Sequence, residues 1–154
     1  MGIMFRGVNP INLDGKGRLA IPARYRESIS DHCAGKMVAT IDTESRCLLL
    51  YPQPEWDLIQ AKLDALPSFN PAARRIQRLL VGHATDLDMD AAGRLLVPAP
   101  LREYAQLEKR IVLLGQGNKF EIWSETLWNE TRDEYLLDVG ADAALPDEMQ
   151  SLSL

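Results

Sequence analysis

Residues 13–26 read LDGKGRLAIPARYR, and residues 89–102 read MDAAGRLLVPAPLR. The second stretch repeats the first at an offset of 76 residues, with Asp, Gly, Arg, Leu, Pro, Ala and a second Arg at matching positions. A looser match continues downstream, where two apolar runs flank a polar turn in each copy. The chain is therefore predicted to contain two copies of one unit of roughly 50 residues, joined by an insertion.

Each copy is predicted to run strand, turn, strand, short helix, strand, turn, strand, helix. The glycines of Asp14-Gly15-Lys16-Gly17 suit a tight hairpin turn between the first two strands. Pro22 ends the second strand and favours a helix over residues 23–30, because its missing N–H is not needed in a first turn. The apolar runs Met37–Ile41 and Cys47–Tyr51 predict a second hairpin. The equivalent runs of the second copy are Ile111–Leu114 and Phe120–Trp123.

Helical periodicity dominates the connection and the C-terminal part of the chain. Apolar residues at helical spacing predict helices over residues 55–66 and 71–81, the second beginning at Asn70-Pro71. A further helix over residues 125–138 is predicted to bury Trp128, Thr131 and Tyr135.

One copy alone has too few large side chains to form a stable core. We therefore expect the two copies to interleave their hairpins around a pseudo-two-fold axis into one closed barrel, which leaves no open strand edges. The fold class is α+β with a mainly β core and flanking helices. The predicted boundaries are residues 4–51 for the first repeat, 52–81 for the helical connection, 82–124 for the second repeat and 125–154 for the C-terminal helix and acidic tail.

Composition is that of an ordinary globular domain. The chain has 154 residues, of which 46% are hydrophobic and 25% charged. No apolar run approaches the ~18 residues that a membrane span needs, so we expect a cytoplasmic protein without a membrane partner.

The net charge of −5 is unevenly distributed, with six basic and three acidic residues in 1–36 but one basic and nine acidic residues in 121–154. A polyanionic partner is compatible with this segregation, although segregated charge is also common in proteins that bind no nucleic acid.

Enzymatic and metal chemistry find little support in the sequence. Cys33 and Cys47 match no metal-binding spacing and are interpreted as reduced thiols. His32 and His83 are isolated, and the alternating aspartates of residues 86–90 lack the loop of a calcium site. No phosphate-binding loop, nucleophile elbow or matched acid–base pair is present. We expect no catalytic residue, no metal, no cofactor and no small-molecule substrate.

Arg18 and Arg94 have both a structural and a functional interpretation. Asp14 precedes Arg18 by four residues across a turn, as Asp90 precedes Arg94, so each pair is predicted to cap and brace its turn. An arginine beside a two-stranded ribbon is also suited to base recognition, because a ribbon enters the major groove and arginine binds guanine bidentately. One arginine can serve both roles.

Other basic residues are predicted either to contact phosphates or to form a solvated face. The candidates for phosphate contact are Arg6, Lys16, Arg24 and Arg26. For Arg74, Arg75 and Arg78 we favour pairing with Asp64, with the acidic C-terminal helix or with another subunit over DNA contact. The tryptophans at 56, 123 and 128 are predicted to pack in the core rather than to stack on bases.

With these motifs, the sequence resembles the MraZ family, whose members carry two tandem SpoVT/AbrB-like domains. Asp14…Arg18 with Ile21-Pro22 and Asp90…Arg94 with Val97-Pro98 carry the resemblance, which covers nearly the whole chain. Further matching segments are Phe5-Arg6-Gly7, Tyr51-Pro52…Glu55-Trp56, Asn70-Pro71…Arg74-Arg75…Gln77-Arg78 and Asn118-Lys119-Phe120-Glu121. Ala92 stands where the first copy has Lys16, so the second turn is less basic.

The resemblance implies an AbrB-like swapped-hairpin barrel that binds double-stranded DNA. It implies a transcriptional regulator, a repressor of its own division and cell-wall gene cluster, that binds short direct repeats upstream of the promoter. It also implies a ring-shaped homo-oligomer associated with the nucleoid. A protein-interaction scaffold, whose basic patch serves assembly, remains the alternative function.

Overall fold

The computed structural model of the chain describes residues 3–138 together with Met149 and Leu152. Most of the predicted acidic tail lies outside the described residues. The elements in chain order are β1 (Phe5–Asn12), β2 (Arg18–Ala20), α1 (Ala23–Cys33), β3 (Lys36–Ile41), β4 (Leu48–Pro52), α2 (Gln53–Asp64), α3 (Pro71–Leu80), β5 (Thr85–Asp88), β6 (Arg94–Leu96), α4 (Ala99–Tyr104), β7 (Arg110–Gly117), β8 (Phe120–Ser124) and α5 (Glu125–Asp138). The order of elements predicted for both copies is confirmed. No helix in the described part of the chain is long and apolar enough to cross a membrane.

Local sequence signals explain where the helices begin and end. Pro22 and Pro98 have extended backbone and directly precede α1 and α4, so each ends a ribbon strand and starts a helix. Asn70 caps α3, with its side-chain oxygen accepting the backbone N–H groups of Ala72 at 2.9 Å and Ala73 at 3.2 Å. Helix α1 ends at Cys33, three residues later than predicted, and the next residue, Ala34, caps it in the left-handed conformation.

Strand pairing joins the two repeats into one sheet. Six strands form an antiparallel sheet in the order β1-β7-β8-β4-β3-β5, and β2 pairs with β6 in a separate two-stranded ribbon. The predicted hairpins β3–β4 and β7–β8 are confirmed. The hairpin predicted across the aspartate-containing turn is wrong, because the strands on either side of each such turn pair across the repeats: β1 with β7, β5 with β3 and β2 with β6.

The predicted closed barrel is wrong. The described strands leave β1 and β5 as the two edges of the large sheet, and these edges do not pair with each other. The reason is that each edge strand leads into a turn that carries the chain out of the sheet, from β1 to β2 and from β5 to β6. Their continuations pair as the ribbon, so the α+β class and the mainly antiparallel sheet are confirmed without closure. The finer expectation of an AbrB-like swapped hairpin stays a prediction.

The main core lies between the large sheet, the ribbon and the helices. Leu19 and Leu95 form the inner face of the ribbon and are fully buried. The Phe5 ring from β1 stacks on the Phe120 ring from β8 with centroids 4.0 Å apart, and Tyr25 of α1 packs edge-on against both. Side chains from both repeats thus fill one continuous core, which is why neither repeat buries its own apolar surface.

The tryptophans pack as the sequence predicts, whereas the end of α5 does not. Trp56 and Trp123 are each 3% exposed, and Trp128 is half-buried against Trp123. Tyr135 was predicted to be buried and is 55% exposed. Helix α5 packs on the sheet through its first turns at Leu127 and Trp128, and residues 132–138 have no described neighbour that covers them.

Candidate nucleic-acid interface

The ribbon presents a small patch of four side chains to solvent. Arg18 lies opposite Leu96, and Ala20 lies opposite Arg94. Side chains alternate along a strand, so these four point away from the buried leucines between them. Backbone bonds from Ile21 to Gly93 and from Val97 to Gly17 place both outward pairs at non-hydrogen-bonded positions, where opposite side chains approach most closely. We call this patch, Arg18, Ala20, Arg94 and Leu96, the ribbon face.

Each ribbon arginine is held by the aspartate of its own turn. Asp14 accepts the backbone N–H of Lys16 and of Arg18 at 2.9 Å through Oδ1, and the Arg18 Nε donates to Oδ2 at 2.8 Å. In the second copy Asp90 accepts the backbone N–H of Arg94 at 2.8 Å, and the Arg94 Nε donates to it at 3.0 Å. Each aspartate thus accepts two backbone N–H groups of its own turn. One carboxylate therefore shapes the turn and orients the guanidinium.

The same hydrogen bonds keep both carboxylates charged. The pKa of Asp14 is lowered from 3.8 to about 2, chiefly because the carboxylate accepts the Arg18 backbone N–H, with the Arg18 side chain adding to the effect. The pKa of Asp90 is lowered for the same leading reason, its hydrogen bond from the Arg94 backbone. At neutral pH both ion pairs are consequently intact.

Two further arginines brace the turns across the repeats. Arg26 Nε donates to the Ile21 carbonyl at 2.7 Å while the side chain packs over Gly93, where an added Cβ would lie 2.3 Å from Nε. Arg102 is the equivalent residue of the second repeat and braces the turn of the first. Its Nε donates to the Val97 carbonyl at 3.0 Å, and its side chain packs over Gly17. Both glycines have positive φ, +78° at Gly93 and +87° at Gly17, so a side chain there is excluded by conformation and by space.

The structure thus gives Arg26, predicted as a DNA contact, a position that braces the turn of the second repeat. Arg102 was not singled out from the sequence. It is the repeat equivalent of Arg26, so the 76-residue offset was the signal that could have identified it.

The remaining predicted basic residues are divided between two places. Lys16 is exposed in the turn beside Arg18, so it lies next to the ribbon face. Arg24 and Arg6 are exposed but are tied to β1 rather than to the ribbon. Arg24 donates to the Asn9 side chain and lies over the Tyr25 ring, and the Arg6 carbonyl accepts the Tyr25 hydroxyl. The structure brings Lys16, Arg18 and Arg94 together and leaves Arg6 and Arg24 outside that group.

A third basic group lies on α3. Arg74, Arg75 and Arg78 are exposed, and none of them forms an ion pair with a carboxylate of the described residues. The expected pairing with Asp64 is absent from that part of the chain. Pairing with a neighbouring subunit stays a prediction.

The structure also gathers three metal-ligating residue types that the sequence analysis did not connect. The ligand atoms of Asp42, Cys47 and Glu121 lie within 4.8 Å of one another. The Cys47 Sγ is 3.6 Å from an Asp42 carboxylate oxygen, to which the thiol donates. Burial raises the pKa of Cys47, and the two carboxylates add to that effect, so the thiol is protonated at neutral pH. The hydrogen bond accounts for the arrangement without an ion, and we assign no metal to it.

The fold and the site define a class of protein, a two-repeat α+β chain that displays a pair of aspartate-held arginines on an exposed β-ribbon. The family described as "MraZ protein, putative antitoxin-like" matches residues 4–79 and 80–142. The chain belongs to the MraZ family.

Curated relatives match over their full length. The transcriptional regulator MraZ of Halorhodospira halophila is 59% identical over 98% of this chain and 100% of the relative. The proteins of the same name from Coxiella burnetii and Legionella pneumophila are 55% and 54% identical over the same shares of each chain. The family is one of transcriptional regulators, which confirms the expectation that the chain is not an enzyme.

Proposed function

We propose that this protein is a sequence-specific DNA-binding transcriptional regulator whose ribbon face enters the major groove. The observation that carries the proposal is the pair of arginines, Arg18 and Arg94, held on one exposed face of a two-stranded ribbon. A ribbon of two strands fits the width of the major groove. The name shared by the relatives, transcriptional regulator, points in the same direction.

The geometry of each ion pair suits base recognition. Among the described residues, the side-chain hydrogen bonds of Arg18 and Arg94 use Nε alone, and both terminal nitrogens remain for a ligand. Two parallel donors match the O6 and N7 acceptors of guanine. The arginines are diagonal neighbours across the ribbon, which places the two residues about 7–8 Å apart. That separation is close to two base-pair steps of about 3.4 Å each.

Phosphate contacts would position the ribbon. Lys16 lies beside Arg18 and is exposed, so it is the best placed to contact the backbone of the same DNA. Arg6, Arg24 and Arg26 are further candidates. Since Arg24 and Arg26 already contact protein acceptors, their positions are held before DNA arrives.

The family resemblance extends the proposal to regulation and assembly. In this proposal the protein represses its own division and cell-wall gene cluster by binding short direct repeats upstream of the promoter. It acts in the cytoplasm, associated with the nucleoid, as a ring-shaped homo-oligomer. The exposed arginines at 74, 75 and 78 would face the acidic C-terminal region of a neighbouring subunit, because opposite charges complement each other there.

A mobility-shift assay with the DNA just upstream of the protein's own gene tests the proposal. We expect specific binding that weakens steeply with salt, and its loss in Arg18→Ala and Arg94→Ala, since each bidentate contact contributes about 1–3 kcal/mol. Lys16→Ala should weaken specific and non-specific binding alike and reduce the salt slope by about 1.

Arg46→Ala provides the matched control, because it removes one exposed arginine from the loop between β3 and β4, outside the ribbon. It should bind as the wild type does. Wild-type affinity in a folded Arg18→Ala protein would overturn the proposal. A salt-insensitive interaction with protein partners, without DNA binding, would support the scaffold function instead.

A further inference from the structure

The ribbon face is pseudo-symmetric in its arginines but not in their neighbours. At an offset of 76, Arg18 corresponds to Arg94, whereas Ala20 corresponds to Leu96. Because the strands are antiparallel, each arginine lies opposite an apolar residue of the other repeat. Arg18 is therefore paired with leucine and Arg94 with alanine.

The residues of the two turns also differ, so the two ends of the ribbon differ in charge as well as in apolar size. The turn next to Arg18 carries Lys16, and the turn next to Arg94 carries Ala92 at the equivalent position. One end thus combines a lysine, an arginine and a leucine, and the other combines two alanines with an arginine. A ribbon with identical ends would bind a DNA site equally well in either direction, and this ribbon has no such equivalence.

Leu96 is an exposed leucine beside a buried one. It is 54% exposed, while its neighbour Leu95 is fully buried. Its place directly opposite Arg18, at a closely approaching pair, puts an apolar group within about 4.5–5.5 Å, Cβ to Cβ, of the arginine. The methyl group of thymine is the apolar group that the major groove offers beside the polar edges of the bases.

We infer that Leu96 contacts a thymine methyl next to the base pair bound by Arg18, and that this contact makes the ribbon bind its DNA site in one orientation. The inference rests on the proposed DNA-binding function and adds to it a specificity-determining residue. Ala20 carries a single methyl group beside Arg94, so it offers less apolar surface to a base edge than Leu96 does.

Replacing thymine by uracil tests the contact, because uracil lacks only the methyl group. Each thymine of the protected site upstream of the protein's own gene is replaced in turn, and binding is measured for wild type, Leu96→Ala, and the exchanged variant Ala20→Leu/Leu96→Ala. In the wild type we expect one replacement to weaken binding about fourfold, the effect of losing one buried methyl group. Leu96→Ala should be insensitive to that replacement. The exchanged variant should move the sensitive position toward the opposite end of the site.

Thermal unfolding of each variant verifies the fold, which should be preserved because positions 20 and 96 are exposed. Equal uracil sensitivity in wild type and Leu96→Ala would overturn the inference, as would an unmoved sensitive position in the exchanged variant. A Leu96→Ala protein with unchanged DNA binding but a smaller solution mass would show that Leu96 contacts another subunit, which also overturns it. Wild-type protein without specific binding to this DNA would instead refute the proposed function itself.

Discussion

The substitution Asp14→Asn separates the two tasks of the turn carboxylate. An asparagine can keep its carbonyl oxygen at the Oδ1 position, where it still accepts the N–H groups of Lys16 and Arg18. Its amide nitrogen would take the Oδ2 position, where the wild-type carboxylate accepts a hydrogen bond from the Arg18 Nε at 2.8 Å. An amide N–H₂ group is a donor and cannot accept that bond. The turn should therefore persist while the guanidinium loses its fixed orientation.

The expected effect follows from the cost of ordering one long side chain. Immobilising such a side chain on binding costs about 0.5–1.5 kcal/mol, or about 2- to 12-fold in affinity. In the wild type the ion pair has already ordered Arg18 before DNA binds. The variant also carries one negative charge fewer, which strengthens non-specific attraction to DNA. Affinity for specific DNA divided by affinity for scrambled DNA should therefore fall at least 2-fold.

Fluorescence anisotropy with both DNAs at one fixed salt concentration measures this ratio. Asp57→Asn is the matched control, because it removes the same charge from an exposed position on α2 and should leave the ratio unchanged. Asp90→Asn, the repeat equivalent, should lower the ratio as Asp14→Asn does. An unchanged ratio in a folded Asp14→Asn protein would refute the reasoning, since it would mean that the carboxylate does not position Arg18 for base contact.

Three further predictions concern acid stability, folding and assembly. Because folding lowers the pKa of Asp14 from 3.8 to about 2, its carboxylate stabilises the fold above pH 4, and this contribution is lost as the pH falls toward 2. Denaturant unfolding between pH 2 and 5 should show a shallower acid dependence for Asp14→Asn, and identical profiles would contradict this. Residues 1–68 alone should not fold as a monomer, since β1 and β2 lose their partners β7 and β6. A cooperative thermal transition of the monomeric fragment would refute that, whereas a homodimer would not. The full chain should be a homo-oligomer by light scattering and bind an array of DNA repeats more tightly than a single repeat. A monomer with equal affinity for both DNAs would disprove it.

Much of the local structure was readable from the sequence. The prolines at 22 and 98, the cap at Asn70 and the alternation of apolar residues predicted the order of the elements, because each acts on backbone dihedrals or hydrogen bonds within a few residues. The Asp14–Arg18 ion pair is also local, closing over four residues, and was predicted with its repeat equivalent.

Strand partners were decided only in the tertiary structure. An isolated strand exposes the same N–H and C=O groups to every possible neighbour, so nothing near Phe5–Asn12 indicates that it pairs with Arg110–Gly117 rather than across its own turn. The open sheet, the bracing of Gly93 by Arg26 and the exposure of Tyr135 follow from such long-range choices. The ribbon face itself has this origin. The sequence determined that each repeat carries an arginine beside a turn, but the pairing of β2 with β6, driven by the burial of Leu19 and Leu95 on one side, places both arginines together on the other.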